Sequence, residues 1–306
     1  MKLDIITSAA FVLLLGAAAP PTAVRPEIVT GDVDRFFAVY DTAKGEPTAE
    51  QLQRDYLDKG SNGLDEFARI RRITGESIAA AIAKRPEIYV NARRCAAVLP
   101  AVKARLTAAL TRLGELYPQA IFPPVTLAIG RTKPVGVGNA AGGVMIGLEA
   151  LCHFDFLNPD AEDRFVSIIA HEYVHVQQPA AQVEEAEVTV LEASLIEGGA
   201  EFVAELIGGS VGYSHLAAAA KGREKALETE FVAEQGETAM GSDWLYNGIG
   251  TAERPGDLGY WVGYRIAKAH YQGAKDKKAA LKDIIEMRDA QAFLAKSGWY
   301  PGIPLD

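Results

Sequence analysis

The segment His171-Glu172-Tyr173-Val174-His175 lies inside the apolar run RFVSIIAHEYVHVQQ, and it restricts the possible folds more than any other stretch of the chain. At 3.6 residues per turn, positions i and i+4 project from one helical face, so the two imidazoles can bind one metal ion. Glu172 stands beside them, where an HExxH metalloprotease keeps its general base. Polar groups inside an apolar helix are costly unless they are paired, so the segment must be buried against partners that satisfy it. The alternative is a pair of core histidines held by ordinary hydrogen bonds. With only five histidines in the chain, an HExxH arising by chance is a rare event.

A catalytic zinc takes three protein ligands and keeps one position open. Between Val176 and Ser214 there is no His, Asp or Cys. The extended HExxHxxGxxH pattern fails too, because Gln178 stands at its Gly and Ala181 at its third His. A nearby third ligand must then be a Glu. Glu184, Glu185 and Glu187 lie just beyond Pro179, whereas Glu192, Glu197, Glu201 and Glu205 lie on the following helix. Glu197 and Glu201 are an i, i+4 pair, so one can coordinate while the other orients a ligand imidazole. Because Glu205 continues the spacing, a solvated acidic stripe is the competing reading. Gly198-Gly199 costs a helix interior about 1 kcal/mol per residue relative to Ala, which points to close backbone approach where this helix meets the HExxH helix.

The remaining composition narrows the setting. A net charge of −9, without a long basic run, gives no footprint for nucleic acid, which is excluded as a partner. Lys2, the apolar run Ile5 to Ala19 and the following PPTAVRP resemble a secretory signal peptide over residues 1–19, with cleavage near residues 18–23. The run is short for a bilayer span, which needs about 20 apolar residues, so no stable membrane span is expected after processing. Export to a periplasmic or extracellular space follows as the expected localisation. Cys95 and Cys152 are the only cysteines; one disulfide is allowed, and two free buried thiols are equally open.

Along the chain, residues 32–117 read as successive helices with apolar residues at spacings of three and four, a helical subdomain with no catalytic spacing. FPPVTLAIG and GGVMIGLEAL read as two strands joined by the Gly-rich RTKPVGVGNAA, a plain loop that lacks both phosphate-binding patterns. Helices return from Asp163. The expected class is α+β: a mostly helical domain over residues 120–300 with a small antiparallel or mixed sheet, preceded by the helical subdomain.

HEYVH, with Glu197 in EGGAEF 22 residues beyond His175, is similar to the gluzincin zinc peptidases, the thermolysin-like group. VTLAIG, GGVMIGLEAL, IIAHEYVHVQQ, LIEGGAEFVAEL, LGYWVGYRIAKAHY and FLAKSGW, in that order, resemble a bacterial family of predicted zinc-dependent proteases from about Phe122 to Trp299. The resemblance implies one zinc per chain on His171, His175 and Glu197, Glu172 as base, and Glu201 as the acid orienting an imidazole. It also implies a peptide or protein substrate laid along GGVMIGLEAL as an edge strand. Thermolysin's calcium-binding acidic clusters are missing, so no calcium is expected. Tyr260 and Tyr264 share a helical face and are candidate donors to a developing oxyanion, with core packing as the alternative; His215, His270 and His153 are weaker candidates. No GxMEN-type segment is present to grip a free amino terminus, which favours an endopeptidase. The competing function is an exported zinc-binding or scaffold protein without turnover.

Overall fold

The computed structural model describes residues 26–132, 135–139, 142–183, 187–251 and 253–305. The expected signal peptide, part of the Gly-rich connection, and Glu184 and Glu185 lie outside the described residues.

The chain opens with a short strand β1 (Ile28–Val29), followed by α1 (Gly31–Thr42), α2 (Ala49–Asp55), α3 (Asn62–Arg71), α4 (Gly75–Lys84), α5 (Pro86–Cys95) and α6 (Leu99–Leu116). The stretch LDEFARIRRITGESIAAAIAKR forms two helices rather than one. Arg72 takes a left-handed φ of 52° that ends α3, and Thr74 opens α4 with a reciprocal capping box to Ser77. Their apolar faces join the same core as the sheet. The buried Tyr56 hydroxyl donates to the Ile129 carbonyl and accepts from the Ile129 N–H, and Tyr89 donates to the Gly130 carbonyl.

The sheet comprises β1, β2 (Val125–Ala128), β3 (Gly136–Asn139) and β4 (Gly143–Gly147), in the order β1-β2-β4-β3. The β1-β2 and β2-β4 pairs are parallel and β3-β4 is antiparallel, so the sheet is mixed. Two expectations change here. The Gly-rich connection contributes strand β3, and GGVMIGLEAL is a strand only to Gly147, after which α7 (Leu148–His153) begins. Because β4 is paired on both sides it is not the expected edge strand; the edges are β1 and β3, and β3 is the one beside α8. Its glycines carry no β-branched or apolar signal, which is why the sequence pattern hides it.

α8 (Ala161–His175) starts at the N-cap Asp160 and is buried from Arg164 to Val174 except at Glu172. A helix apolar on nearly every side is a core helix. After α9 (Ala180–Val183), α10 (Val190–Gly208) starts with a Thr189–Glu192 capping box; α11 (Ser214–Ala220), α12 (Glu224–Glu234), α13 (Leu258–Gly273), α14 (Lys277–Ile285) and α15 (Ala290–Lys296) complete the order. The close approach expected of Gly198-Gly199 is real but has another partner. A Cβ on Gly198 would lie 2.1 Å from the Tyr264 nitrogen, and one on Gly263 would lie 1.7 Å from the Ser194 carbonyl oxygen. The glycines thus let α10 cross α13, while α10 meets α8 through side chains. Among the described residues no helix is long and apolar enough to cross a membrane.

Cys95 and Cys152 form a disulfide that ties α5 to α7 across 57 residues. Closing a loop of that length removes about 4 kcal/mol of denatured-state entropy on the chain-entropy model. The Cys95→Ala/Cys152→Ala protein is therefore expected to melt roughly 5–10 °C below the parent by calorimetry, and the parent to lose the same margin under reductant.

Candidate metal centre

α8 presents His171 and His175 one turn apart, and α10 presents Glu197 opposite them. The His171 and His175 Nε2 atoms are 3.0 Å apart, and each lies 3.2 Å from Glu197 Oε2. These three residues form the metal-capable group among the described residues, with all donor atoms within 4.8 Å of one another. Zinc bonds of about 2.0–2.2 Å at tetrahedral angles separate donors by about 3.3–3.6 Å. The observed separations are slightly shorter, so a small outward adjustment fits the ion. Two Nε2 lone pairs facing each other at 3.0 Å also need a cation or a proton between them, which supports the fit.

Each imidazole is held from behind. His171 is 2% exposed, and Glu201 Oε2 lies 3.3 Å from its Nδ1 at an angle short of a good hydrogen bond. Glu201 is fixed in turn through its other oxygen, which accepts the Gly212 and Tyr213 backbone N–H groups. For His175, Nδ1–H donates to Gln178 Oε1 at 2.7 Å, and the Gln178 amide donates to the Ile196 carbonyl on α10. This bond selects the tautomer that leaves Nε2 for a metal. Nothing in the sequence pattern marks Gln178. It stands where the longer histidine motif would place a glycine, and only the bend after α8 brings it back to the ring.

Electrostatics in the metal-free protein follow from burial and pairing. Burial pulls the His171 pKa down, but the neighbouring Glu197 and Glu201 carboxylates outweigh it and push it up to about 10. The same contest raises His175, with Glu197 the main opposing charge. Burial opposes ionisation of Glu197, yet the two imidazoles hold its carboxyl well below the usual carboxylate range.

The centre opens into a cleft of about 260 Å³. Glu172 faces it without joining the donor group, packed against β3, where a Cβ on Gly136 would lie 3.4 Å from Glu172 Cγ. A Cβ on Gly138 would lie 2.4 Å from the Glu172 carbonyl oxygen, so only glycine lets this strand lie directly on α8. Of the two tyrosines expected near the chemistry, Tyr260 lines the cleft, its ring stacked on His171 with centroids 5.9 Å apart. Tyr264 does not line it; its hydroxyl donates to Glu205 at 2.7 Å and accepts from Lys268. Tyr213 packs on Tyr260 at 4.8 Å, and burial raises the pKa of both phenols so that they stay protonated donors. Tyr246, 49% exposed at a left-handed φ of 59°, completes the rim beside Glu197. Arg71 joins from α3. Tyr213, Tyr246 and Arg71 come from segments with no motif, so only the fold reveals them. Of the weaker candidates, His270 lies 3.3 Å from Asp283, His215 packs edge-on to Phe156, and His153 is exposed; none lines the cleft.

Two outcomes are expected. Gln178→Leu, which removes the acceptor from His175 Nδ1, should weaken zinc binding about 10–100-fold by competition with a chromophoric chelator. Because a bound metal must displace the proton that His171 holds below pH about 10, zinc affinity should climb at least about tenfold per pH unit between pH 6 and 8. Proton release measured by calorimetry in buffers of different ionisation enthalpy checks the sign.

Comparison with curated proteins and with solved structures returns no match. A family model described as "Predicted Zn-dependent protease" matches residues 132–292, more than half of the chain, and the matched stretch contains His171, Glu172, His175 and Glu197. The chain belongs to this family of predicted Zn-dependent proteases (DUF2268).

Proposed function

We propose that this protein is an exported zinc peptidase that hydrolyses peptide bonds in the cleft between α8 and β3. The observation that carries the reading is a three-donor centre open to a cleft, with a non-ligating carboxylate, Glu172, beside it. A site built only to store a metal has no use for that carboxylate. His171, His175 and Glu197 would hold the ion and Glu201 would orient His171. Zinc bound there would supply a Lewis acid that polarises the scissile carbonyl and lowers the pKa of water towards about 7.

Glu172 takes a proton from the attacking water and delivers it to the leaving amine nitrogen. Tyr260, neutral because of its burial and set over His171, is placed to donate a hydrogen bond to the oxygen that gains charge. β3 supplies the substrate platform. The Gly147 N–H donates to the Val135 carbonyl, so by alternation Gly136 and Gly138 turn their backbone groups to the outer edge of the sheet. An extended peptide can pair there as an added strand. The Cys95–Cys152 bond supports export, because such bonds persist in oxidising compartments.

The purified mature protein is expected to carry about one zinc per chain, and Glu172→Gln to keep the zinc while losing about 10²–10⁴-fold in hydrolysis of a peptide library. Full activity in the zinc-loaded variant would exclude Glu172 as the base. Zinc binding with no hydrolysis by the parent would favour a scaffold role instead.

A further inference from the structure

The metal cleft carries a cation that hydrolysis itself does not use. Arg71, the last residue of α3, is the one Lys or Arg among the described residues lining the cleft, which otherwise presents the carboxylates of Glu172 and Glu197. Its backbone is fixed, because the left-handed Arg72 ends the helix and Arg131 donates to the Arg71 carbonyl at 3.0 Å. The side chain crosses to β3 and makes a single long bond, 3.3 Å, to the Gly136 carbonyl. Its Nε is buried and finds no partner among the described residues. No described carboxylate lies within ion-pair distance of it, so the cleft-facing guanidinium has the Gly136 carbonyl as its described partner. Arginine's planar fork of five donors matches a carboxylate in bidentate fashion. One long bond to a strand carbonyl leaves most of that capacity unused.

We propose that Arg71 is the substrate-recognition residue of this cleft and that it binds a peptide carboxylate beside the scissile bond. The inference rests on the peptidase reading above and deepens it. Gly136 abuts Glu172, so a carboxylate on Arg71 sits close to the reacting carbonyl, at the Gly136 end of the strand along which a substrate would pair. In a chain of net charge −9 an acidic peptide is repelled at long range, and a dedicated cation is what lets the cleft select one. Two sources supply the same chemistry. A substrate antiparallel to β3 brings its C-terminal end to Arg71, and its terminal carboxylate would then restrict cleavage to a short C-terminal product. An Asp or Glu side chain would instead leave cleavage internal.

The test is calorimetric binding to the zinc-loaded Glu172→Gln protein, which holds peptides without turnover. The probes are an alanine-based hexapeptide as free acid and as C-terminal amide, and amidated versions carrying Glu or Gln at each internal position in turn. Loss of one particular carboxylate should weaken binding about tenfold or more, and that sensitivity should vanish when Arg71→Gln is added and return in part with Arg71→Lys. Sensitivity at the C-terminal group assigns an exopeptidase geometry, and sensitivity at an internal Glu assigns an acidic subsite. Zinc stoichiometry and melting temperature, measured on each variant, show that the site is folded. Binding that ignores every carboxylate, or a preference that survives Arg71→Gln, overturns the proposal and leaves the peptidase reading standing. No binding of any peptide to the zinc-loaded protein overturns both.

Discussion

Two imidazoles and two carboxylates are buried together between α8 and α10, and the surrounding structure satisfies them. Each group taken alone would be too costly to bury. Together they neutralise one another: Glu197 faces both Nε2 atoms, Glu201 faces His171 Nδ1, and Gln178 faces His175 Nδ1. The second oxygen of Glu201 is taken up by backbone N–H groups at Gly212 and Tyr213, so the cluster also fixes the turn after α10. Burial opposes a charge on His171, but Glu197 and Glu201 outweigh it and favour the protonated imidazole in the metal-free protein.

How much of this the sequence reveals depends on whether a feature is local in the chain. His171, Glu172 and His175 are legible because helical geometry alone places them on one surface, and the Glu197–Glu201 pair because two residues four apart share a face. Gly198-Gly199 marks a close approach to α10 but not its partners, α13 at Gly198 and Ile284 at Gly199, since a glycine records that something comes close without recording what. β3 was hidden for the same reason: the glycines that let it lie on α8 make it look like a loop. Tyr213, Tyr246, Gln178 and Arg71 reach the centre from turns or from a remote helix, and no periodicity can report on an encounter made only in three dimensions.

Residues 32–117 read as a helical subdomain, and they share one hydrophobic core with the sheet and with α8 and α10. Tyr56 and Tyr89 hold the chain at the end of β2, the disulfide fastens α5 to α7, and α3 delivers Arg71 to the cleft. Of these helices α3 reaches the cleft, through Arg71, while α6 packs directly against α8.

The glycine contact between α10 and α13 has a mechanical consequence. Helices that pack through side chains can be moved apart or together in small steps by exchanging one apolar residue for another. At Gly198 and Gly263 there is no side chain to exchange, and backbone already touches backbone. The spacing between Glu197 on one helix and Tyr260 on the other is thus not an adjustable quantity. Variation in the shape of this centre has to arise from side chains at its rim, such as Tyr246 and Arg71, while α10 and α13 act as a rigid frame behind Glu197.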